Sequence, residues 1–537
     1  MKRRKRGLTG LLALLMLLSI VTGCGEKQVD TLQLRITTTD VPNTLDPAMV
    51  DTDTEKTVAV HLFENLMKPT DSGAACGQAK NYTCVDNLDG TETYRFILRT
   101  DNKWSDGKAV TAQDFVYAWR RLVDPETASP NRELLNMVAG YEKAAEGDLE
   151  ALQVWAEDTL TLVVVLNCHC PYFLSSICTA AATMPVRADA VEQENWSMQR
   201  QTLLTNGAYR VSDWVENDLT LSAMDTYYDT KRIEARELLF RFGVAQEAAM
   251  SYYENGEIDV VMESDQTEDS RLSYRSEVQV LLVNQMAGML RKEELRQAMS
   301  LVLDRNAICA ELGEHYIPAD GLVPYGTAST EGGDFRTLSG AIIDNNPEDY
   351  EANCAAAKEK LAQINYVSPV SASPISEPVD TIPLLHTNFP MQVLVAQTLQ
   401  KTWQEKLGLH VTLQEVTTEE MQSALESGEF VLALTSIDSD RSDASAYLKR
   451  FRSDSRENYG MYYSNPYDML MRVTESANSL VARDAYMEDA ERMLLESGHV
   501  IPLYNDTHNW LVRKDLVGAL DNGQGVHCFT YVRRTEE

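Results

Sequence analysis

The sequence predicts a mixed α/β protein of two or three domains. Stretches that alternate apolar and polar residues, as strands do, recur along the chain, and stretches with helical spacing of apolar residues separate them. The chain has 537 residues, more than a single hydrophobic core usually organises. From position 381 onward strands and helices alternate, which indicates an α/β unit.

The individual elements follow from these two periodicities. Strands are predicted at 32–38, 94–99, 159–166, 219–224, 237–242, 381–386, 410–416, 430–435 and 500–504. Helices are predicted at 53–67, 111–123, 293–312, 392–407 and 483–495. The Ser- and Pro-rich stretch 366–379 is expected to be a surface loop.

The N-terminus has the layout of an export signal. Five basic residues, 2–6, precede an apolar run, 8–21, that is shorter than the roughly 20 residues a transmembrane helix needs. The run ends in Val21-Thr22-Gly23-Cys24, which resembles the lipobox of bacterial lipoproteins. We therefore expect 1–23 to be a signal peptide, Cys24 to be the lipidation site and 24–29 to be a tether. The alternative is an N-terminal anchor helix. The remaining chain has no further apolar run of that length, and we expect a soluble protein held on the outer face of the cell membrane.

Charge and motifs exclude several function classes. The formal net charge is −33, and a nucleic-acid partner would require clustered Lys and Arg, so none is expected. The sequence has no G-x-S-x-G, H-E-x-x-H, Walker A or dinucleotide-binding glycine motif. We therefore expect no enzyme activity and no cofactor.

The cysteines leave two interpretations open. Because an exported compartment permits disulfides, Cys76 with Cys84 and one pair among Cys168, Cys170 and Cys178 are candidate bridges. Free thiols are the alternative. The two cysteines of Cys168-His169-Cys170 are closer together than zinc ligands usually are, so no metal site is predicted.

Several motifs occur in the order typical of one protein family. They are Thr44-Leu45-Asp46-Pro47-Ala48, the stretch 102–130 that begins Asn102-Lys103-Trp104-Ser105-Asp106-Gly107, Asn206-Gly207-Ala208-Tyr209, Gly256-Glu257-Ile258-Asp259, and Leu295-Arg296-Gln297-Ala298-Met299 followed by Leu303-Asp304-Arg305. From about residue 31 to the C-terminus the chain resembles family 5 of the extracellular solute-binding proteins, in its oligopeptide-binding group. The stretch 104–114 also reads as a tight Asp-Gly turn followed by a Thr111 helix cap, so we assign it a structural role.

The resemblance implies a bilobal periplasmic-binding-protein-like α/β fold of type II, in the three-domain variety, with a hinge and a central ligand cleft. Mapped onto this chain, lobe I comprises 30–64, 202–290 and 507–537, the inserted domain 65–201, and lobe II 291–506. The implied function is capture of peptides outside the cell and delivery to the permease subunits of an ABC importer, by a protein expected to be monomeric. Alternatives are a peptide-sensing lipoprotein or a binder of another solute, such as a nickel complex or an oligosaccharide. A secreted hydrolase is a further alternative.

The resemblance also implies the ligand-binding residues. Aligned on Tyr447-Leu448, Asp440 occupies the position that pairs with a peptide's amino terminus. Ser436 and Asp438 are then expected to offer backbone groups to the peptide, and Asp51 to line the same cleft. The alternative for Asp440 is a solvated loop carboxylate.

The chain departs from the family in two places near this site. Arg441 replaces an aromatic residue, and its charge suggests a contact with a ligand carboxylate. An aromatic strand precedes the Leu295 helix in the family, whereas 279–292 here is shortened and has no aromatic residue, so that part of the cleft and hinge is expected to be lost.

Overall fold

The computed structural model describes residues 32–70, 73–87, 89–264, 266–330, 333–364, 381–439, 441–475, 477, 480–522 and 525–535. The predicted signal peptide, Cys24, the tether, the loop 366–379 and Asp440 lie outside the described residues. Among the described helices, none combines the length and the apolar character needed to cross a lipid bilayer.

The first half of the chain is rich in strands. Residues 32–64 form β1 (Leu32–Thr37) and α1 (Asp53–Leu62). Residues 65–201 form β2 (Met67–Thr70), β3 (Gly73–Cys76), β4 (Ala79–Asp86), β5 (Glu92–Leu98), α2 (Ala112–Val123), α3 (Tyr141–Ala145), β6 (Val154–Asp158), β7 (Thr161–Leu166) and α4 (Ala188–Val191). Residues 202–290 form β8 (Tyr209–Val215), β9 (Asp218–Ala223), β10 (Ala235–Arg241), α5 (Gln246–Glu254), β11 (Val260–Ser264) and β12 (Arg271–Val283).

Helices predominate in the second half. Residues 291–496 form α6 (Glu293–Leu301), α7 (Arg305–Leu312), β13 (Tyr316–Pro318), α8 (Phe335–Ser339), α9 (Tyr350–Gln363), β14 (Ile382–Thr387), α10 (Pro390–Leu407), β15 (Val411–Val416), α11 (Thr418–Ser427), β16 (Leu432–Ile437), α12 (Ser445–Leu448), α13 (Asn465–Glu475) and α14 (Leu480–Glu496). The C-terminal part forms β17 (Val500–Val512), β18 (Leu516–Val517), β19 (Leu520–Asp521), β20 (His527–Cys528) and β21 (Arg533–Arg534).

One large sheet runs through both lobes. Its strand order is β15-β14-β16-β12-β17-β11-β1-β10-β9-β8, with β13 paired to β17. The inserted domain has its own antiparallel sheet in the order β4-β5-β7-β6. This bilobal α/β arrangement confirms the predicted fold class, whereas the exact domain boundaries remain a prediction.

The hydrophobic cores explain how these parts hold together. A single core contains Leu34 of β1, Trp119 of α2, Phe173 and Trp510, and it therefore joins lobe I to the inserted domain. Lobe II has two separate cores on the two faces of its sheet, as the alternation of side chains along a strand requires. Lobe I and the inserted domain thus form one packed body, and lobe II forms another.

Two long strands, β12 and β17, connect these bodies. Each has 13 residues, and they pair antiparallel with register shifts between Tyr274 and Val278 and between Gln279 and Val280. Such irregularities bend and twist a strand pair. The predicted loss of the strand before the Leu295 helix is therefore wrong. Strand β12 is intact because Val and Leu at 280–283 fill both buried faces without aromatic residues.

Three other predictions about elements need correction. The helix expected at 53–67 ends at Leu62, and Met67 begins strand β2. The single helix expected at 293–312 is two helices, α6 and α7, because Asp304 caps α7 by accepting a hydrogen bond from the backbone N–H of Ala307 at 3.0 Å. The strand expected at 500–504 continues to Val512 as β17.

The turn and cap predicted at 104–114 are confirmed. Gly107 has a positive φ of 88°, which a turn of this kind requires and which glycine adopts at no steric cost. The backbone N–H of Thr111 donates to the Asp114 carboxylate at 2.8 Å, and the Trp104 indole N–H donates to the same carboxylate at 3.2 Å. The motif is therefore a structural corner, as its residues predicted.

All eight described cysteines are free thiols, so neither candidate disulfide is formed. Cys76 faces Met67 across β2 and β3, and Cys84 faces Tyr94 across β4 and β5, so the two cysteines belong to different strand pairs. Burial raises the pKa of Cys170 and of Cys178 above the usual thiol range. Among the described residues, no three His, Cys, Asp or Glu side chains are grouped so that they could hold a metal ion.

Candidate ligand-binding site

Strand β16 ends at the predicted site and leaves one of its edges open. Its partner β12 stays paired as far as Val278 opposite Ile437. On the other side, β14 pairs with β16 only at Leu384 with Leu432 and Leu385 with Ala433. From Leu434 to Ile437, therefore, β16 has a strand partner on one edge alone among the described residues. Such an edge can pair with the backbone of an extended peptide.

Two of the predicted residues lie on this surface. Ser436 faces Gln279 across β16 and β12, is exposed, and its hydroxyl has no hydrogen-bond partner among the described residues. Asp438 follows β16 with 77% of its side chain exposed, 3.8 Å from the Arg450 guanidinium. The Asp438 carbonyl accepts a hydrogen bond from Arg450 at 2.9 Å, which fixes the backbone where the strand ends.

Strand β12, whose loss the sequence predicted, places polar side chains beside β16. We call these residues, Glu277 and Gln279, the polar wall. Gln279 of β12 donates to Glu277 at 2.8 Å and accepts from Gln392 of α10 at 3.2 Å. Glu277 comes directly before Val278, which is the last residue of β12 at this end that pairs with β16.

Lobe I contributes acidic residues at the start of α1. Asp51 is exposed, and its carboxylate has no hydrogen-bond or ion-pair partner in the described part of the chain. Thr52 and Glu55 form a reciprocal capping box that orients this end of the helix. Burial raises the pKa of the Asp53 carboxyl above its usual value, and nearby Lys56 and Arg275 of β12 only partly oppose this effect. The interaction with Arg275 brings this acidic end of α1 close to the connecting strands.

The loop after β16 is firmly held on lobe II. Arg483 donates two hydrogen bonds of 2.8 Å to Asp443, and each of these side chains is 3% exposed. Burial by itself raises the pKa of Asp443, but the charge and hydrogen bonds of Arg483, together with hydrogen bonds from Ser445, hold that pKa below its usual value. The Ser442 hydroxyl accepts from the backbone N–H of Ala328 at 2.8 Å.

Arg441 does not project into open space. It is 5% exposed, and its guanidinium lies 5.3 Å from the ring centre of Tyr172 in the inserted domain. This conformation does not present it to a ligand carboxylate, so the role suggested for Arg441 stays untested.

Ser436, Asp438 and Arg441 thus lie on one segment of lobe II, whereas Asp51 lies in lobe I, and no contact among the described residues joins Asp51 to that segment. Sequence reasoning missed Glu277, Gln279 and Tyr172. The alternation of polar residues at 275, 277 and 279 could have indicated an exposed strand face. The Pro-Tyr-Phe stretch that contains Tyr172 gives no such signal, because its partner is distant in sequence.

Comparison with known proteins supports the resemblance. The model for bacterial extracellular solute-binding proteins, family 5, matches residues 79–459. The periplasmic oligopeptide-binding protein OppA of Escherichia coli is 28% identical over 87% of this chain and 86% of its own length. The probable deoxycholate-binding periplasmic protein YgiS of the same organism is 27% identical, over 86% of each chain.

Similar solved structures also indicate the arrangement of the lobes. The periplasmic murein tripeptide-binding protein MppA in its unliganded open form superposes with a TM-score of 0.81 at 25% identity, covering 95% of this chain and 98% of MppA. A second structure of Escherichia coli MppA, covering 95% of this chain and 99% of MppA, gives a TM-score of 0.65. The present structure thus superposes better on the unliganded open form of MppA than on the second MppA structure. Because the family model covers more than half of the sequence, the chain belongs to the bacterial extracellular solute-binding proteins, family 5.

Proposed function

We propose that this protein is the substrate-binding component of an ABC importer and captures peptides outside the cytoplasmic membrane for delivery to the permease. The observation that carries the proposal is the free edge of β16 beside the loop that follows it. We call this loop, which starts at Asp438 and includes Asp443, the acidic loop. A peptide strand needs hydrogen-bond partners for its backbone, since an unpaired buried polar group costs about 1–3 kcal/mol. Its ammonium group needs a carboxylate. Residues 434–438 and the loop that follows offer both.

The names of related proteins support the same ligand class. OppA is an oligopeptide-binding protein, MppA a murein peptide-binding protein, and DppE of Bacillus subtilis a dipeptide-binding protein. YgiS is named for deoxycholate, a bile acid with a carboxylate group. Asp51 and Asp438 each expose a carboxylate, one on each lobe, and this charge disfavours an anionic ligand beside them. We therefore propose peptides with a free amino terminus.

The test combines ligand identification with one substitution. Native mass spectrometry of the purified protein is expected to reveal co-purifying peptides. Asp440→Ala is then expected to weaken binding of a free peptide about tenfold or more, since hydrogen bonds to charged groups contribute roughly 1.5–3 kcal/mol. Asp454→Ala, which removes an exposed carboxylate paired with Arg452 at 2.8 Å in the same lobe, is the control. Unchanged affinity in the Asp440 variant contradicts its role as the amine anchor.

We further propose that Cys24 carries the lipid that holds the protein at the membrane. Each buried CH₂ of an acyl chain contributes about 0.8 kcal/mol, so several chains give lasting attachment. Cys24→Ser is expected to abolish incorporation of a labelled fatty acid and to release the protein from the membrane fraction. Labelling that persists in this variant overturns the proposal.

A further inference from the structure

The inserted domain touches lobe II directly beside the candidate site. Its segment 172–177 follows β7 and contains a π-helical turn, Phe173–Ile177. The Ser176 hydroxyl donates to the Ser442 carbonyl at 3.1 Å, and Arg441 donates to the Tyr172 hydroxyl at 3.5 Å. We call Tyr172, Ser176, Arg441 and Ser442 the domain junction.

The junction brings a positively charged cluster against an aromatic ring. The guanidinium carbons of Arg441 and Arg483 lie 5.3 Å and 6.0 Å from the ring centre of Tyr172. Asp443 neutralises one of these charges through its paired hydrogen bonds with Arg483. Both guanidinium groups therefore lie near the electron-rich face of the ring, in a place shielded from water, where such contacts are strongest.

The junction adds a contact between the two packed bodies that lies away from the connecting strands. Strands β12 and β17 provide the covalent connection, and the junction adds a non-covalent one at the end of β16. On the lobe II side, the junction belongs to the loop that starts at Asp438. Residues 434–437 of β16 are held by pairing with β12 on one edge, and their other edge is free. Loss of the junction is thus expected to disturb the acidic loop and to leave the strand edge intact.

We propose that Tyr172 and Ser176 of the inserted domain position the acidic loop of lobe II and so determine how well the site distinguishes a charged amino terminus from an uncharged one. They are positioning residues and are not assigned a direct contact with the ligand. The inference rests on the proposed function, because it concerns the same peptide site. It gives the inserted domain a part in ligand selection.

The test measures the affinities of a free peptide and of its N-acetylated form by calorimetry. Wild-type protein is expected to prefer the free peptide about tenfold or more. Tyr172→Leu is expected to reduce this preference about five- to tenfold, as loss of a desolvated cation–ring contact implies. Tyr172→Phe keeps the ring and is expected to retain most of the preference. Ser176→Ala is expected to reduce it about two- to threefold.

Matched controls separate positioning from general damage. Tyr82→Leu alters a tyrosine on β4 that is 39% exposed and packs on Tyr94 and Phe96, and Ser175→Ala alters the exposed neighbour of Ser176. Neither control is expected to change the preference. An equal fall in both affinities in Tyr172→Leu, or an unchanged preference in Tyr172→Leu and Ser176→Ala, overturns the inference. Failure of wild-type protein to bind either peptide overturns the proposed function itself.

Discussion

Replacement of Asp443 by Asn tests how the acidic loop is held. The side chains of Asp443 and Arg483 are each 3% exposed and share two hydrogen bonds of 2.8 Å. Asparagine keeps the size and one acceptor oxygen but removes the charge. The Arg483 guanidinium is then left buried without a counter-ion, which typically costs 3–5 kcal/mol. We expect the free energy of unfolding of lobe II to fall by about that amount.

Two further variants show whether charge is the cause. Asp438→Asn removes a carboxylate that is 77% exposed and 3.8 Å from Arg450, so it is expected to cost less than about 1 kcal/mol. The double variant Asp443→Leu with Arg483→Met removes both buried charges and is expected to recover most of the stability, because such replacements are often neutral.

Urea denaturation followed by circular dichroism measures these differences. The pKa of Asp443 is depressed in the folded state, so its contribution is present above the unfolded pKa of about 3.9 and is lost as the pH falls through the folded pKa. The difference between wild type and Asp443→Asn is therefore expected to shrink below about pH 3.9. A difference smaller than about 1 kcal/mol at pH 7 would refute the argument that the ion pair holds the loop.

Three other perturbations follow from the structure. Burial lowers the pKa of His527 to about 3, so below about pH 6.5 this histidine binds a proton in the unfolded chain but not in the folded protein. This difference lowers the free energy of unfolding by about 1.4 kcal/mol per pH unit between about pH 6.5 and 4, and His527→Phe is expected to remove that loss in urea denaturation. Glu491→Gln leaves Arg336, 1% exposed, without its counter-ion and is expected to cost about 3–5 kcal/mol in the same assay, whereas a loss below about 1 kcal/mol contradicts this. A Cβ at Gly207 meets the Leu62 carbonyl carbon at 2.6 Å, so Gly207→Ala is expected to lower the melting temperature by several degrees, and an unchanged value contradicts the close backbone approach.

Much of the fold follows from local sequence patterns. The predicted strands and helices correspond to observed ones because their apolar periodicity matches the faces that they bury. The predictions failed where tertiary context decides. The break between α6 and α7 depends on the Asp304 cap. Strands β12 and β17 extend beyond their apolar residues because they pair with each other where they connect the two lobes. Polar residues in those extensions carry no strand signal of their own.

The site was only partly predictable for the same reason. Ser436 and Asp438 could be located because they follow an apolar strand in a recognised order. Tyr172 could not be located from the sequence, because its contact partner Arg441 is 269 positions away and lies in a different domain. The sequence does not reveal the polar wall formed by Glu277 and Gln279 either, because the absence of aromatic residues in this stretch predicts loss of the strand.

Asp438 and Asp443 show why residue type alone does not define function in this loop. Asp443 is buried, accepts hydrogen bonds from Arg483 and Ser445, and has no exposed surface left for a ligand. Asp438, five positions earlier, is mostly exposed and lies only near Arg450. A buried carboxylate must be paired to be tolerated, whereas an exposed one can exchange its water for a ligand's ammonium group. The first therefore helps to fix the geometry of the loop, whereas the second is exposed to solvent where β16 ends.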